Sequence, residues 1–529
     1  MKRVLKNPLL PGFYPDPSVC RKGQDYYMVT STFEYYPGVP IFHSRDFVNW
    51  HQIGHVLDRP SQLNLDHMNP SRGIYAASIF YHEKRDLFYM ITTLVGNAPY
   101  WENQNFFVTA KDPAGPWSDP VVIPGAEGID PSLVFDGDKT YYLGNLRPDP
   151  DAADVKERHI WLQELDMDRG VLVGERHILL TDGAVHKAAA PEGPHIYHIG
   201  DWYYLLIAEG GTAHNHSCSI FRSKAVTGPY EINPRNPLIT HRNLRTGYPI
   251  HSTGHGDLIQ LHNGEWWVVL LASRPDGGDY RNLGRETFAA PVIWEEEWPV
   301  FSPETGRVEF EFPAPDLPEV RWQEEPACEQ FEGDRLPYAW ITVRTPRRKF
   351  YSLEERPGYL RLYLGPEAIT EASCCAFVGR RQQHLCFAVR TAMEFTPERD
   401  GEESGIVLLM NHDYQIRMVY GRFDGVDKLR LIRRFGGLDE IIAEQPCEAG
   451  RLYLKASARY QDFNFYYANK AEAWKTLVEH VDGRLLSKEV AGGFTGTIIG
   501  MYGSANGQES GNFADFDWFE YQGADGESH

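Results

Sequence analysis

One short phrase recurs five times in the first part of the chain: a turn residue, a pair of aromatic residues and then a run of aliphatic residues. The second aromatic residues of the five copies are separated by 62, 53, 62 and 63 residues, at Tyr27, Tyr89, Tyr142, Tyr204 and Trp267. Each copy is typical of a strand that follows a turn, and a near-constant period is typical of a repeat architecture. Each period has room for about four short strands, so the repeats predict a five-bladed β-propeller. Aromatic pairs after turns also occur in other β proteins, but five regularly spaced copies favour the repeat.

The character of the sequence changes after Phe310. A proline-rich connector at residues 312–318 is followed by runs of alternating apolar and polar residues, such as 359–364 and 414–419. Alternation with a period of two over about 200 residues indicates the antiparallel strands of a β-sandwich. We therefore predict an all-β chain, with the propeller at residues 1–318 and the sandwich at residues 319–529.

The charge balance narrows the class of ligand. The 529 residues include 52 Lys and Arg against 73 Asp and Glu, a formal net charge of −21. Nucleic acid and anionic membrane surfaces attract clustered positive charge, so this balance argues against both as partners and favours a neutral ligand. No stretch approaches the roughly 20 consecutive apolar residues of a membrane helix, and no apolar run before Pro8 resembles a secretory signal. The seven cysteines form no Cys-x-x-Cys pair, which favours free thiols and a cytoplasmic location.

Three acidic residues in turn-like settings are the candidate chemical groups. Asp16 lies between two prolines, Asp130 precedes a proline, and Glu192 lies in a Pro-Glu-Gly-Pro run. Each stands just before, or leads into, one of the aromatic repeats, so a five-fold ring is expected to gather all three at its central pocket. A pair of carboxyl groups with a third as helper can hydrolyse a glycosidic bond. A single Asp-Pro is more often a structural turn, but three such acids on one ring favour chemistry.

Other catalytic motifs are missing from the sequence. It contains no His-Glu-x-x-His, no P-loop, no Gly-x-Ser-x-Gly and no dinucleotide-binding fingerprint after a strand. Five other motifs, in chain order, resemble those of a known family: residues 7–18, 128–133, 191–195, 253–257 and 283–287. On these the chain resembles glycoside hydrolase family 43, specifically its β-xylosidase branch with a C-terminal concanavalin-like β-sandwich.

The resemblance implies both a reaction and the residues that perform it. It implies an exo-acting, inverting xylan 1,4-β-xylosidase that releases D-xylose from the non-reducing end of β-1,4-xylooligosaccharides. Asp16 is then the general base that activates water, and Glu192 is the general acid that protonates the leaving oxygen. Asp130 is the third carboxylate, which keeps the pKa of the acid high and orients it.

Two further polar residues follow from the resemblance. Arg285 matches the substrate-binding arginine, which is also expected to keep Asp130 ionised; its plain alternative is a surface ion pair with Glu286. His255 matches a histidine at the propeller centre that contacts water or a calcium ion. We therefore expect no required cofactor, with a structural Ca2+ at His255 as the one metal to consider.

The resemblance also supplies aromatic walls for the pocket. Phe33 and Tyr75 match pocket positions, and Phe494, in a glycine-flanked loop of the sandwich, resembles a residue that closes the pocket so that only a non-reducing end can enter. Core packing is the alternative for all three. Many relatives have Ala-Pro after the pocket aromatic residue, whereas this chain has Tyr75-Ala76-Ala77.

This departure after Tyr75 leaves the identity of the sugar substrate undecided. An α-L-arabinofuranosidase, or an enzyme with both activities in one pocket, is the first alternative. A family 32 type of five-bladed glycosidase, which retains configuration, is the second, although its Trp-x-Asn-Asp-Pro-Asn opening and Glu-Cys acid motif are missing. A non-catalytic carbohydrate-binding propeller is an alternative of a different class. We expect a xylooligosaccharide to be the substrate. We also expect the chain to form a homo-oligomer.

Overall fold

The computed structural model describes residues 3–97, 103–149, 157–244, 247–448 and 450–524. Helix in this part is limited to two 3-10 turns, Glu83–Arg85 and Gly483–Leu486, and the one-turn α-helix Lys488–Ala491. The prediction of an all-β chain is confirmed. No helix among these residues has the length and apolar character needed to cross a membrane.

Five antiparallel sheets of four or five strands follow one another along the first part of the chain. Blade I comprises Ser18–Lys22, Asp25–Val29, Gly38–Ser44 and His51–Leu57. Blade II comprises Gly73–Ile74, Ser78–His82, Leu87–Val95, Gln104–Ala110 and Val121–Val122. Blade III comprises Ser132–Asp136, Lys139–Leu146, His159–Asp166 and Val171–Leu180. Blade IV comprises Glu192–Ile199, Trp202–Glu209, Ser217–Ser223, Glu231–Ile232 and Ile239–Thr240, and blade V comprises His251–Gln260, Trp266–Ser273, Glu286–Glu295 and Trp298–Phe301.

The repeated aromatic pairs all lie on the strand that follows the innermost strand of a blade. The second aromatic residue of every pair is buried, because it packs in the apolar layers within and between neighbouring blades. The five-bladed propeller predicted from the spacing of these pairs is confirmed. Its two ends meet outside the blades, where Val4–Lys6 pairs with Glu311–Pro313.

Hydrogen bonds of side chains join the innermost strands of neighbouring blades, or the residue just before such a strand, around the axis. Going round the ring, they connect Ile79 N to Ser18 Oγ (3.1 Å), Ser78 Oγ to Pro131 O (2.9 Å), Ser132 Oγ to Pro194 O (2.6 Å), Tyr197 Oη to Asp257 Oδ1 (2.6 Å) and Ser18 Oγ to Asp257 Oδ2 (2.7 Å). The side chains that form these five hydrogen bonds are buried or partly buried, and leaving a buried polar group without a hydrogen bond lowers stability. The ring therefore fixes the relative positions of the segments that lead into the inner strands.

The C-terminal part is a sandwich of two antiparallel sheets with one apolar core between them. One sheet comprises Cys328–Glu329, Tyr351–Ser352, Leu360–Tyr363, Cys386–Phe395, Gly450–Arg459, Asp462–Ala468, Lys475–Asp482 and Phe513–Gly523. The other comprises Ala376–Arg381, Glu403–Asn411, Tyr414–Phe423, Val426–Phe435, Leu438–Pro446 and Ile498–Ser504. The predicted boundary at residues 318 and 319 falls in the strand-free segment between the last propeller strand and the first sandwich strand.

The sandwich packs on the face of the propeller that carries the candidate site. A two-stranded sheet crosses between them, in which Tyr35–Tyr36 pairs with Thr342–Val343. One apolar cluster contains residues of both parts, including Phe13 from the propeller and Phe377 and Tyr502 from the six-stranded sheet. Because strand pairing and apolar packing coincide here, loops of the sandwich are held against the mouth of the propeller pocket.

Candidate active site

All eight residues singled out in the sequence line one pocket at the propeller axis. They are Asp16, Phe33, Tyr75, Asp130, Glu192, His255, Arg285 and Phe494. Four other residues complete its lining: Ala76 and Ile129, which lie beside predicted residues, and Thr212 and His216, which the sequence did not indicate. The pocket therefore combines three carboxyl groups, one guanidinium group and an aromatic wall.

Asp16 is a buried carboxyl group at the entry to the first strand of blade I. Its oxygens accept hydrogen bonds from Arg285, at 2.7 Å (Nη1 to Oδ1) and 3.3 Å (Nη2 to Oδ2), and from the Ser31 hydroxyl. Burial raises the pKa of Asp16, but Arg285, His255 and the Ser31 hydrogen bond outweigh it and leave the pKa below its usual value. Asp16 is therefore an ionised acceptor at neutral pH.

The position of Arg285 differs from the expectation. The sequence predicted that Arg285 would keep Asp130 ionised, whereas its guanidinium forms the paired hydrogen bonds with Asp16. The alternative of a surface ion pair with Glu286 is also wrong, because Arg285 is buried and Glu286 pairs with Arg274 (2.8 Å). A fork of two parallel N–H groups fits a carboxylate well, and this geometry fixes Asp16 in one orientation.

An irregularity in the strand pairing of blade IV positions Glu192 in the pocket. It opens the strand Glu192–Ile199, and the pairing with Trp202–Glu209 shifts by one residue between Glu192 and His195, as in a β-bulge. Gly193 has a φ of 57°, and a Cβ atom there would lie 2.9 Å from the His255 ring. The Glu-Gly sequence is thus required because the backbone passes directly beside the imidazole.

Burial controls the protonation of Glu192 and Asp130. It raises the pKa of Glu192 to about 7, and the charge of Asp16 adds to the effect. Burial also raises the pKa of Asp130 well above its usual range, assisted by Glu192 and then by Asp16. The sequence attributed the raised pKa of the acid to Asp130, but burial is the first cause, and each of the two groups holds its proton at a higher pH than an exposed carboxyl would.

Four of the eight residues have left-handed backbone conformations. The φ angles are 54° at Asp16, 50° at Phe33, 53° at Asp130 and 49° at His255. Such conformations cost about 1–3 kcal/mol each for residues other than glycine, and they persist where the surrounding structure enforces them. Four such residues in one pocket are typical of a functional site, where strained backbone positions the side chains.

Phe33, Tyr75 and Phe494 form one aromatic wall. Ring centroids lie 5.0 Å apart for Phe33 and Tyr75, 5.9 Å for Phe33 and Phe494, and 6.1 Å for Tyr75 and Phe494. The Arg285 guanidinium lies 5.5 Å from the Phe33 ring and 5.6 Å from the Phe494 ring. The wall therefore joins two propeller blades to a loop of the sandwich around the same cation.

His255 lies close to the carboxylate of Asp16, with 3.7 Å between Nδ1 and Oδ1. Burial lowers the pKa of His255 to about 4, so the ring is neutral at neutral pH. Calcium prefers six to eight oxygen ligands, and the part of the chain that the structure describes brings together no group of three or more His, Cys, Asp or Glu placed to hold a metal ion. These side chains do not fit a protein-ligated Ca2+, and a calcium ion at His255 stays a prediction without structural support.

The residues that the sequence did not indicate come from the loop after the second strand of blade IV. Thr212 accepts a hydrogen bond from Arg285 (3.3 Å, Nη1 to Oγ1), and its carbonyl accepts one from Lys488 of the sandwich (3.1 Å). His216 Nδ1 faces the carbonyl of Ser252 (3.0 Å), and burial lowers its pKa to about 3. The one local signal was Gly210-Gly211, a turn next to the pocket.

The two parts of the chain match two known family models. Residues 5–299 match Glycosyl hydrolases family 43, and residues 328–522 match the Beta xylosidase C-terminal Concanavalin A-like domain. The chain is 43% identical to a "Xylosidase/arabinosidase" of Butyrivibrio fibrisolvens, over 98% of this chain and 99% of that protein. It is 38% identical to the "Non-reducing end alpha-L-arabinofuranosidase BoGH43B" of Bacteroides ovatus, over 98% and 95% of the two chains.

A solved structure extends the agreement to the whole fold. The GH43 protein BlXynB of Bacillus licheniformis superposes with a TM-score of 0.91 at 35% identity, covering 99% of this chain and 100% of that one. The resemblance seen in the sequence motifs is thereby confirmed across both parts of the molecule. The chain belongs to glycoside hydrolase family 43.

Proposed function

We propose that the protein is an exo-acting, inverting xylan 1,4-β-xylosidase that removes D-xylose from the non-reducing end of β-1,4-xylooligosaccharides. One observation supports this above the others: two carboxyl groups in one pocket have opposite preferences for a proton. Asp16 stays ionised beside Arg285, whereas burial raises the pKa of Glu192 to about 7. A general base and a general acid need this division.

Single displacement assigns each group one proton transfer. The Asp16 carboxylate accepts a proton from water as the water oxygen attacks the anomeric carbon. Glu192 donates its proton to the glycosidic oxygen as the bond from that oxygen to the anomeric carbon breaks. The products are a sugar with inverted configuration, a shortened oligosaccharide, an ionised Glu192 and a protonated Asp16, which returns its proton to solvent. Asp130 lines the same pocket, and in this proposal its part is to orient Glu192, because burial and the charge of Asp16 already raise the pKa of the acid.

The pocket geometry favours attack at a chain end. Phe494 enters from the sandwich and contacts both propeller aromatic residues, so a wall stands where an internal stretch of polysaccharide would have to continue. Sugar rings present apolar C–H faces to such a wall, while their hydroxyls meet Arg285 and the carboxyl groups. A non-reducing terminal residue is the part of a xylooligosaccharide that this arrangement can accept.

An α-L-arabinofuranosidase, or an enzyme with both activities, is the second candidate. It is favoured by the names of the two relatives, one of which is called an arabinofuranosidase. Of the departure at Tyr75-Ala76-Ala77, the first two residues line the pocket, whereas Ala77 packs in the apolar core of blades I and II. Tyr75 is therefore the place where the two substrates would be distinguished.

Two measurements test the proposal. The ratio of kcat/KM for aryl β-D-xylopyranoside to that for aryl α-L-arabinofuranoside, with EDTA or with Ca2+, separates the two glycosides and tests the calcium prediction. Proton NMR of the first-formed xylose separates inversion from retention: the α-anomer supports single displacement, and the β-anomer would exclude it. Activity on neither glycoside would favour the carbohydrate-binding alternative. A homo-oligomer and a cytoplasmic location stay predictions, to be checked by sedimentation and cell fractionation.

A further inference from the structure

Ser71 connects the three residues of the aromatic wall, two of them directly and Phe33 through the adjacent Glu34, although it lies outside the pocket lining. It is buried in the connection between blades I and II and has a left-handed backbone, with φ of 59°. Its hydroxyl accepts a hydrogen bond from the Phe494 amide (2.8 Å), and its carbonyl accepts one from the Tyr75 hydroxyl (3.0 Å). Its own amide donates to Glu34 Oε2 (2.9 Å), the side chain of the residue that follows Phe33.

The backbone of Phe494 is held on both sides of its Cα atom. Its N–H donates to Ser71, and its carbonyl accepts a hydrogen bond from Arg285 Nε (3.4 Å). The segment of the sandwich that carries Phe494 is also tied to the propeller through Lys488 and through Glu489, which pairs with Arg281 (2.9 Å). Those two ties reach the blade IV and blade V side of the mouth, whereas Ser71 holds the blade II side.

We propose that Ser71 is a positioning residue that sets the width of the sugar pocket by fixing Phe494 and Tyr75 relative to Phe33. This inference rests on the proposed function for its effect on hydrolysis, but not for its effect on the loop. Without the hydroxyl, the Phe494 amide loses its acceptor. The loop keeps its ties to blades IV and V but loses the one on the blade II side, so the Phe494 ring can shift away from Phe33 and Tyr75. A wider pocket binds the xylose ring less well and distinguishes it less sharply from arabinofuranose.

Two adjacent glycines of the loop provide a matched pair of perturbations. Both have left-handed φ angles, 73° at Gly492 and 81° at Gly493. A Cβ atom at Gly493 would lie 2.3 Å from the Ser71 hydroxyl oxygen, whereas at Gly492 it would meet nothing within 4 Å. Gly493→Ala therefore pushes the loop off Ser71, and Gly492→Ala introduces backbone strain in the same turn without that contact.

The experiment compares four variants with the wild-type chain. Ser71→Gly removes the hydroxyl while suiting the left-handed backbone, so the variant is expected to fold. We expect Ser71→Gly and Gly493→Ala each to raise KM for aryl β-D-xylopyranoside by up to about tenfold, because the loop position that binds the sugar loses the stabilisation of one buried hydrogen bond, with little change in kcat. Both should lower the xyloside to arabinofuranoside ratio and speed amide hydrogen exchange in residues 490–497. Gly492→Ala should change neither the substrate ratio nor the exchange rate. In the double variant, Gly493→Ala should add little to the effect of Ser71→Gly, because the hydroxyl oxygen that the new Cβ atom would contact is gone.

The outcomes distinguish this inference from the proposed function. Wild-type KM and wild-type exchange in Ser71→Gly would overturn the role of Ser71 even if the enzyme is a xylosidase. Equal effects of Gly492→Ala and Gly493→Ala would also overturn it, because strain alone would then explain the result. If the wild-type chain hydrolyses neither glycoside, the proposed function fails, and the exchange measurement still decides whether Ser71 holds the loop.

Discussion

Replacing Glu192 by glutamine tests the division of labour between the two carboxyl groups. Glutamine has nearly the same shape and cannot act as a general acid. Because burial raises the pKa of Glu192 to about 7, the native side chain is largely uncharged at pH 6, and the neutral amide should leave the surrounding structure unchanged. Any loss of rate in the variant then reports the missing proton.

The size of the loss should depend on the leaving group. Departure of a sugar hydroxyl from xylobiose needs protonation, and general acid catalysis contributes about 10²–10⁴-fold, which corresponds to roughly 3–5 kcal/mol of the barrier. Departure of 2,4-dinitrophenolate needs almost no protonation, because this phenol is a much stronger acid than Glu192. We expect Glu192→Gln to lose about 10²–10⁴-fold in kcat on xylobiose and far less on the dinitrophenyl xyloside.

The pH profile provides an independent check. A general acid works only while protonated, so wild-type kcat/KM on xylobiose should fall as the pH rises through about 7. A general base works only while ionised, so activity should also fall in acid, at a pH below the usual range of an aspartate because the pKa of Asp16 is lowered. In Glu192→Gln the alkaline fall should disappear from the residual rate on xylobiose, because no titrating acid is left, and the acid fall should remain.

A second buried glutamate of blade IV provides the matched control. Glu209 also has a raised pKa, chiefly from burial, but it does not line the pocket. Glu209→Gln should keep the wild-type profile on both substrates. Equal losses on xylobiose and on the dinitrophenyl xyloside, or an alkaline limb that persists in Glu192→Gln, would refute the assignment of Glu192 as the acid.

Two further variants test the electrostatics. Asp16→Asn should reduce turnover on activated and unactivated substrates alike, because both need water activation. It should also lower the free energy of unfolding by about 3–5 kcal/mol, because Arg285 is left buried without its counter-charge. A free energy of unfolding in urea equal to that of the wild-type chain would contradict this. Glu34, which burial gives a pKa of about 7 against an ordinary 4.5, binds its proton more tightly in the folded state, so its contribution to stability is present below about pH 4.5 and is lost as pH rises through 7. The free energy of unfolding of the wild-type chain should therefore fall by up to about 3 kcal/mol between pH 4.5 and 8, compared with that of Glu34→Gln. An equal difference in the free energy of unfolding between the two chains at both pH values would contradict the prediction.

The propeller could be predicted because its signal is local and repeated. An aromatic pair after a turn is a property of a few consecutive residues, and five such pairs at similar intervals indicate five similar units. The three acids could be predicted for a related reason. Asp16, Asp130 and Glu192 each lead into the first strand of a blade, and a closed ring brings those strand starts together whatever the detailed packing.

Contacts between distant segments could not be predicted in this way. Arg285 is 269 residues from Asp16, and Phe494 is 423 residues from Ser71. Neither pairing follows from the sequence around the two residues, since each depends on how two blades, or the two parts of the molecule, pack together. The family motif indicated that Arg285 belongs to the pocket, but the choice of Asp16 over Asp130 as its partner is a property of the packed structure.

That choice decides which carboxyl group can act as the base. Burial raises the pKa of Asp16, Asp130 and Glu192 alike, so three buried carboxyl groups without a cation would all tend to hold their protons. Arg285 forms its paired hydrogen bonds with Asp16, and together with His255 and the Ser31 hydroxyl it lowers that pKa below the usual value in spite of burial. Glu192 and Asp130 lack such direct pairing with Arg285 and keep raised pKa values. A guanidinium placed on Asp130 instead would ionise the helper and leave the general base protonated, and the same three acids could not then activate water at neutral pH.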